Sequence, residues 1–199
     1  LVKSHAKNKI YRILPQILAD YSNARWVSLT LLANDCSSDE LLRTTLDLMN
    51  ESLRRLVKLK IFPGIGWIKF VEVTQRCGGN IRPCFHILMI VKASYFGHGY
   101  LSQKKWAEVW QRSLRVDYSP TVSVKRLNPE QDLLIGLISE SAKYCSNEAV
   151  ILQLSQRVPN VKTVTIGGIL RNYSDLLTPI NITPASIFPS DSCAGGIPS

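Results

Sequence analysis

The run Pro83-Cys84-Phe85-His86-Ile87-Leu88-Met89-Ile90-Val91 constrains this chain more than any other feature. It reads as an apolar strand whose first residues are polar and able to bind metal. Upstream, Gly66 to Thr74 reads as a second strand, containing Phe70-Val71-Glu72-Val73-Thr74. The short link from Gln75 to Asn80, with Gly78-Gly79, makes the two an antiparallel hairpin. A chain with such a centre has to build a sheet, and its remaining amphipathic segments have to pack on it.

Those segments are legible from their spacing. Ile10, Ile13, Leu14, Ile17 and Leu18 recur as on one helix face, with Pro15 as an interruption. Arg25 to Leu32 reads as a strand, and Asn34 and Asp35 begin the turn out of it. Ser37 or Ser38 caps a helix with Glu40 in its first turn. Leu41, Leu42, Thr45, Leu48, Met49, Leu53, Leu56 and Val57 give that helix an apolar stripe ending before Pro63-Gly64. A polar loop is expected from Ser94 to Tyr100. Ser102 then caps a helix with Trp106, Val109, Trp110 and Leu114 facing inward. Pro120 to Val124 reads as a strand. Asn128-Pro129-Glu130 opens a helix through Leu133, Leu134, Leu137, Ile138 and Tyr144. A short helical region over Glu148 to Arg157, a strand over Lys162 to Ile166 and a Gly167-Gly168 turn before Ile169 to Leu177 complete the pattern. From residue 25 the order is β-α-β-β-α-β-α, which predicts an α+β fold: a mainly antiparallel central sheet with flanking helices.

The totals narrow the function. The 199 residues carry 24 Lys and Arg against 15 Asp and Glu, a formal charge of +9. That excess draws in polyanions and suits a nucleic-acid partner. With 45% hydrophobic residues the chain is able to bury a core. The five cysteines include no CxxC, which argues against a disulfide scaffold or a zinc knuckle and favours a reducing cytoplasm. The longest apolar runs, around Ile87–Val91 and Leu133–Ile138, are far short of the roughly 20 residues of a membrane span, and no signal peptide is expected.

Side chains two apart on a strand share a face, so Cys84 and His86 point the same way, and the hairpin brings Glu72 across from them. Three groups able to ligate a divalent ion are expected to converge there. Carboxylate with imidazole suits Mn, and Mg less well. Each residue also has a structural reading: Glu72 as a solvated or salt-bridged side chain, Cys84 as a small buried hydrophobe, His86 as a hydrogen-bonded strand residue. Farther on, Glu140 lies four residues before Tyr144, on the same helix face. On spacing alone Tyr144 reads as an amphipathic-helix residue that packs its ring on the sheet.

These landmarks, in this order, resemble the rolling-circle plasmid replication initiators of the Rep_1 type, within the HUH endonuclease superfamily. The resemblance rests on Phe70-Val71-Glu72-Val73-Thr74, Arg82-Pro83-Cys84-Phe85-His86-Ile87-Leu88, Ala93-Ser94-Tyr95-Phe96, Trp106 and Trp110. It continues through Asp117-Tyr118-Ser119-Pro120, Val122-Ser123-Val124 and Glu140-Ser141-Ala142-Lys143-Tyr144. It implies nicking and strand transfer on origin DNA, single-stranded or extruded as a hairpin, with a divalent ion, Mn or Mg, as cofactor. It implies Tyr144 as the nucleophile that takes the 5′-phosphate, Glu140 as the base of the terminating step, and Glu72, Cys84 and His86 as the metal set. Arg82, Lys143, Lys104 and Lys105 would meet the DNA, and a host helicase and polymerase would be further partners. The family's His-Phe-His stands here as Cys84-Phe85-His86, and its preceding histidine as Arg82. A soft thiol suits Mg poorly, so the alternative is a weakened or inactive origin-binding protein of the same fold. A third reading, an RNA-binding sheet, has Phe85 on the face away from Cys84 and His86, with no second strand aromatic evident as its neighbour. The expected division is a basic helical extension over 1–24, the HUH-type nuclease domain over 25–178 and a loosely ordered tail over 179–199.

Overall fold

The computed structural model describes residues 13–76, 78–127, 158, 161–162 and 164–173. The expected helices over 128–144 and 148–157 and the tail from 179 lie outside them, as do Glu140, Lys143 and Tyr144. Helix α1 is described over residues 13–20. Then come β1 (Arg25–Leu32), α2 (Asp39–Leu56), β2 (Gly64–Gln75), β3 (Ile81–Val91), α3 (Tyr95–His98), α4 (Gln103–Leu114), β4 (Val122–Leu127) and β5 (Val164–Gly168), followed by a 3₁₀ turn over Ile169–Tyr173. The five strands form one sheet in the order β4-β1-β3-β2-β5, and every neighbouring pair is antiparallel. This is the α+β architecture that the element order predicts. Among the described residues no helix is long and apolar enough to cross a membrane.

β3 is the middle strand, so both of its faces are covered and its sequence is a nearly unbroken apolar run instead of an alternation. On one face Val27, Leu29, Leu31, Val71, Phe85, Ile87 and Met89 meet Leu42, Leu46, Met49, Leu53 and Leu56 of α2. Trp106, Val109, Trp110 and Leu114 of α4 join the same core. The spacings of four and three along α2 turn one stripe to the sheet; Leu41 falls off it and is exposed, against expectation. Ser38 caps α2 by accepting from the Leu41 N–H at 3.2 Å, and Asp39 and Glu40 complement the helix N-terminus. The Trp110 Nε1–H donates to the Leu32 carbonyl at 2.8 Å, fastening α4 to the end of β1.

The other face is divided. At one end Trp26, Ile68, Phe70, Leu88 and Ile90 pack with Ile13, Leu14 and Ile17 of α1 and with Leu170 and Tyr173. Pro15 lies within this helix and is exposed, so it does not disturb the buried stripe. At the other end the same face turns polar, with Thr30, Glu72, Thr74, Arg82, Cys84 and His86.

The β2–β3 turn sets which residues meet there. Gly78 and Gly79 have φ of 89° and 85°, a region that glycine adopts without steric cost. Arg76 N–H bonds the Asn80 carbonyl at 2.7 Å, and the ladder then pairs Glu72 with Cys84 and Phe70 with His86. Two segments differ from expectation. The loop at 94–100 contains the helical turn α3, because Tyr95, Phe96 and Tyr100 pack ring against ring and the Tyr95 hydroxyl accepts the Leu101 N–H. Gly167 and Gly168 end strand β5 instead of forming a turn; the Trp67 indole covers Gly167 so closely that a Cβ there would collide with it.

Phe85 is fully buried at the centre of the sheet. Phe85→Ala is expected to cost about 3–5 kcal/mol, read as a lower urea midpoint with an unchanged m value.

Candidate metal centre

The polar end of the sheet face brings three ligand types together. Cys84 is directly across the ladder from Glu72, and His86 is two residues along on the same face. The ligand atoms of Glu72, Cys84 and His86 all lie within 4.8 Å of one another. His86 Nε2 stands 2.7 Å from Glu72 Oε2 and 3.3 Å from Cys84 Sγ. His86 and Cys84 are buried, while Glu72 is partly open.

Two further residues hold these groups. Thr30, across from His86 on β1, has its Oγ1 3.2 Å from His86 Nδ1. The 2.7 Å contact with Glu72 Oε2 puts a proton on Nε2; a metal bound there would replace that proton, and Nδ1–H donating to Thr30 Oγ1 would then fix the tautomer that ligation requires. The Thr74 hydroxyl lies 3.4 Å from Glu72 Oε1 and donates to it, leaving Oε2 to His86. Sequence reading missed Thr30 as a partner, since a hairpin argument pairs β3 with β2 and is silent on which strand lies along its other edge. The signal available was a hydroxyl within the apolar strand Leu29-Thr30-Leu31.

The donor set fits a divalent cation through Glu72 and His86, a carboxylate and an imidazole at close range. Cys84 fits less well. Burial, and then the negative charge of Glu72, push its thiol far above the usual value, with Arg82 opposing weakly. Near neutral pH it stays a protonated thiol, a poor ligand until a metal displaces the proton.

The other sequence candidates fall in separate places. Arg82 is ion-paired with Asp35, its Nε 2.5 Å from Oδ1 and its Nη2 3.1 Å from Oδ2. The backbone bridge between Cys36 and Ile81 puts the two side by side, and the guanidinium holds the Asp35 carboxyl below its ordinary value. Lys104 and Lys105 lie at the start of α4, and Lys105 pairs with Glu108 at 2.9 Å. His98 borders a groove with Phe62, Lys92 and Gly99, and is not part of the trio. Among the other tyrosines, Tyr95 is buried and Tyr118 accepts the Asn34 N–H at 3.3 Å. Tyr173 donates to Asp20 at 2.5 Å; that bond, with burial, raises its pKa to about 12. Tyr100 stacks on Phe96, under Arg126, on the sheet face away from the trio. Phe85 is wholly buried beneath α2, so it offers no platform for stacking a base.

Comparison with known proteins gives one family. The Rep_1 family model, described as "Replication protein", matches residues 3–188. Among curated proteins the chain is similar to a "Protein rep" of Streptococcus pneumoniae serotype 2 (strain D39 / NCTC 7466), 29% identical over 86% of this chain and 58% of that one. A "Protein rep" of Lactiplantibacillus plantarum is 27% identical over 82% of this chain and 58% of its own length. A shorter match, to a "Protein rep" of Bacillus amyloliquefaciens, reaches 31% over 51% of this chain and 31% of the relative. The chain thus spans 58% of the length of the first two relatives. No solved structure matches it.

Two substitutions test the metal set, each read by calorimetric titration with Mn and with Mg. Cys84→His replaces a protonated thiol by a second imidazole and is expected to tighten Mn binding by about tenfold or more. Thr30→Val removes the partner of His86 Nδ1 and is expected to weaken Mn binding by about 10–100-fold while the fold is retained.

Proposed function

The chain belongs to the Rep_1 replication protein family, and from that premise we propose that it initiates plasmid replication by nicking one strand of origin DNA. The observation that carries the reading is the Glu72–His86 pair, 2.7 Å apart, backed by Thr30 at the polar end of an otherwise apolar sheet face. A divalent ion held there, Mn or Mg, would polarise a non-bridging phosphate oxygen and draw off developing charge. Glu72 and His86 fix where the scissile phosphate lies, and Thr30 and Thr74 keep them from turning away.

Tyr144 is the proposed nucleophile. Its oxygen attacks phosphorus and gives up its proton to water, and the bond from phosphorus to the 3′ oxygen breaks. The products are a 5′-phosphotyrosine link and a free 3′-hydroxyl, which takes up a proton and serves as primer for a polymerase. Glu140, at i−4 of Tyr144, then accepts the proton of the water or 3′-hydroxyl that resolves the link. Connectivity supports this role: residues 128–163 join β4 at one edge of the sheet to β5 at the other, and Tyr144 lies near the middle of that connection. The described tyrosines support it too, since Tyr95, Tyr118 and Tyr173 are engaged in hydrogen bonds elsewhere. Lys143, Arg82, Lys104 and Lys105 are proposed phosphate contacts, which position DNA without reading its sequence. Origin DNA, with a host helicase and polymerase, makes up the proposed set of partners.

The raised pKa of Cys84 favours a second reading, a nickase weakened in Mg. Its loss would lie in metal affinity and leave DNA binding intact.

A labelled origin oligonucleotide with Mn separates these readings. The parent chain is expected to form a protein-linked product and Tyr144→Phe none, while Tyr100→Phe forms it normally; adduct formation by Tyr144→Phe removes the assignment. Under the second reading, Cys84→His raises Mg-supported nicking by at least about tenfold.

A further inference from the structure

On the face of the sheet away from the metal centre, α2 and the β2–β5 edge enclose an open groove of about 740 Å³. Arg43, Arg54, Lys58, Lys69, Lys162 and Arg171 line it, with Asp47 as the one carboxylate among its described lining residues. Arg43, Asp47, Asn50, Arg54 and Lys58 recur at helical spacing, so one side of α2 and its C-terminal extension forms a polar wall. At about 1.5 Å per residue that wall runs for about 22 Å, long enough for several successive phosphates.

Lys69 forms the floor. It is buried, with 4% of its surface exposed, yet no described carboxylate lies within ion-pair distance of it. Its ammonium donates to Asn50 Oδ1 at 2.5 Å and stands 4.4 Å over the Phe85 ring centroid. Burial, and then the positive charge of Arg54, push its pKa down to about 8. A buried cation without a counter-charge is costly, and an anion in the groove would offset that cost. Trp67, two residues before Lys69 on the same strand face, adds a half-buried aromatic surface to the lining. Cations interleaved with a half-buried aromatic ring suit a nucleotide chain better than an acidic peptide, which offers no base to stack.

We propose that this groove is a second nucleic-acid site, holding the phosphodiester backbone of a segment distinct from the one that meets Glu72 and His86. Strand parity separates the two: Lys69 and Phe85 face α2, whereas Glu72 and His86 face the opposite side. The proposal goes beyond nicking and stands whether or not Tyr144 cuts DNA.

The test measures binding of a fluorescent oligothymidylate to the full chain in EDTA, so that the metal centre takes no part. Arg54→Glu and Lys58→Glu, both at exposed positions, are expected to weaken binding at least about tenfold and to flatten its salt dependence by about 0.7 in slope for each phosphate no longer neutralised. Arg112→Glu makes the same change of net charge on α4 and is expected to matter less than about twofold. Circular dichroism confirms that each variant is folded. A loss from Arg54→Glu and Lys58→Glu no greater than that from Arg112→Glu overturns the proposal. So does displacement by poly-glutamate as effective as displacement by unlabelled oligothymidylate at equal charge, which would assign the groove to an acidic peptide.

Discussion

The position of β3 between β1 and β2 is the constraint on which the rest depends. A strand in that place has partners on both edges and cover on both faces, so it tolerates polar side chains only where something satisfies them. His86 meets that condition from two directions: Thr30 of β1 holds one ring nitrogen and Glu72 of β2 the other. Neither partner would be in place without the register, and the register follows from the tight Gly78-Gly79 turn on one side and the antiparallel β1–β3 ladder on the other. A slip of one residue in either ladder would turn Glu72 or Thr30 to the opposite face, under α2.

The two faces of the sheet do different work. One is covered by α2 and α4 and holds the larger of the two cores. The other is sealed for half its length by α1 and the turn at Leu170 and Tyr173, and then changes character at Thr30. The candidate metal centre therefore sits against an apolar floor, with the open side of Glu72 as its approach. For the proposed nicking such rigid support counts, because misplacement of a reacting group by about 1 Å can cost two orders of magnitude in rate.

Cys84 shows how one substitution in such a framework is absorbed. The thiol occupies the place that strand parity assigns to a ligand, and it contacts His86. The same burial that positions it, together with the charge of Glu72, keeps it protonated. Geometry at this position therefore favours a metal ligand while electrostatics disfavours one, and the pair Glu72 and His86 carries the site.

Much of this was legible in the residues. The hairpin, the convergence of Glu72, Cys84 and His86, the inward-facing Trp106 and Trp110 and the Ser38 cap all follow from local periodicity, turn chemistry and strand parity, which depend on neighbours within a few positions. What only the tertiary structure decided involves partners far apart in the chain. Thr30 meets His86 across a ladder between β1 and β3, Asp35 captures Arg82, and Asn50 reaches Lys69 from α2. The aromatic packing that coils residues 95–98 into a turn, and the Trp67 indole lying on Gly167, likewise depend on which surfaces come together. Periodicity tells which way a side chain points, because backbone geometry is local; it does not tell what it points at, because strand order and helix docking are set by burying the whole core at once.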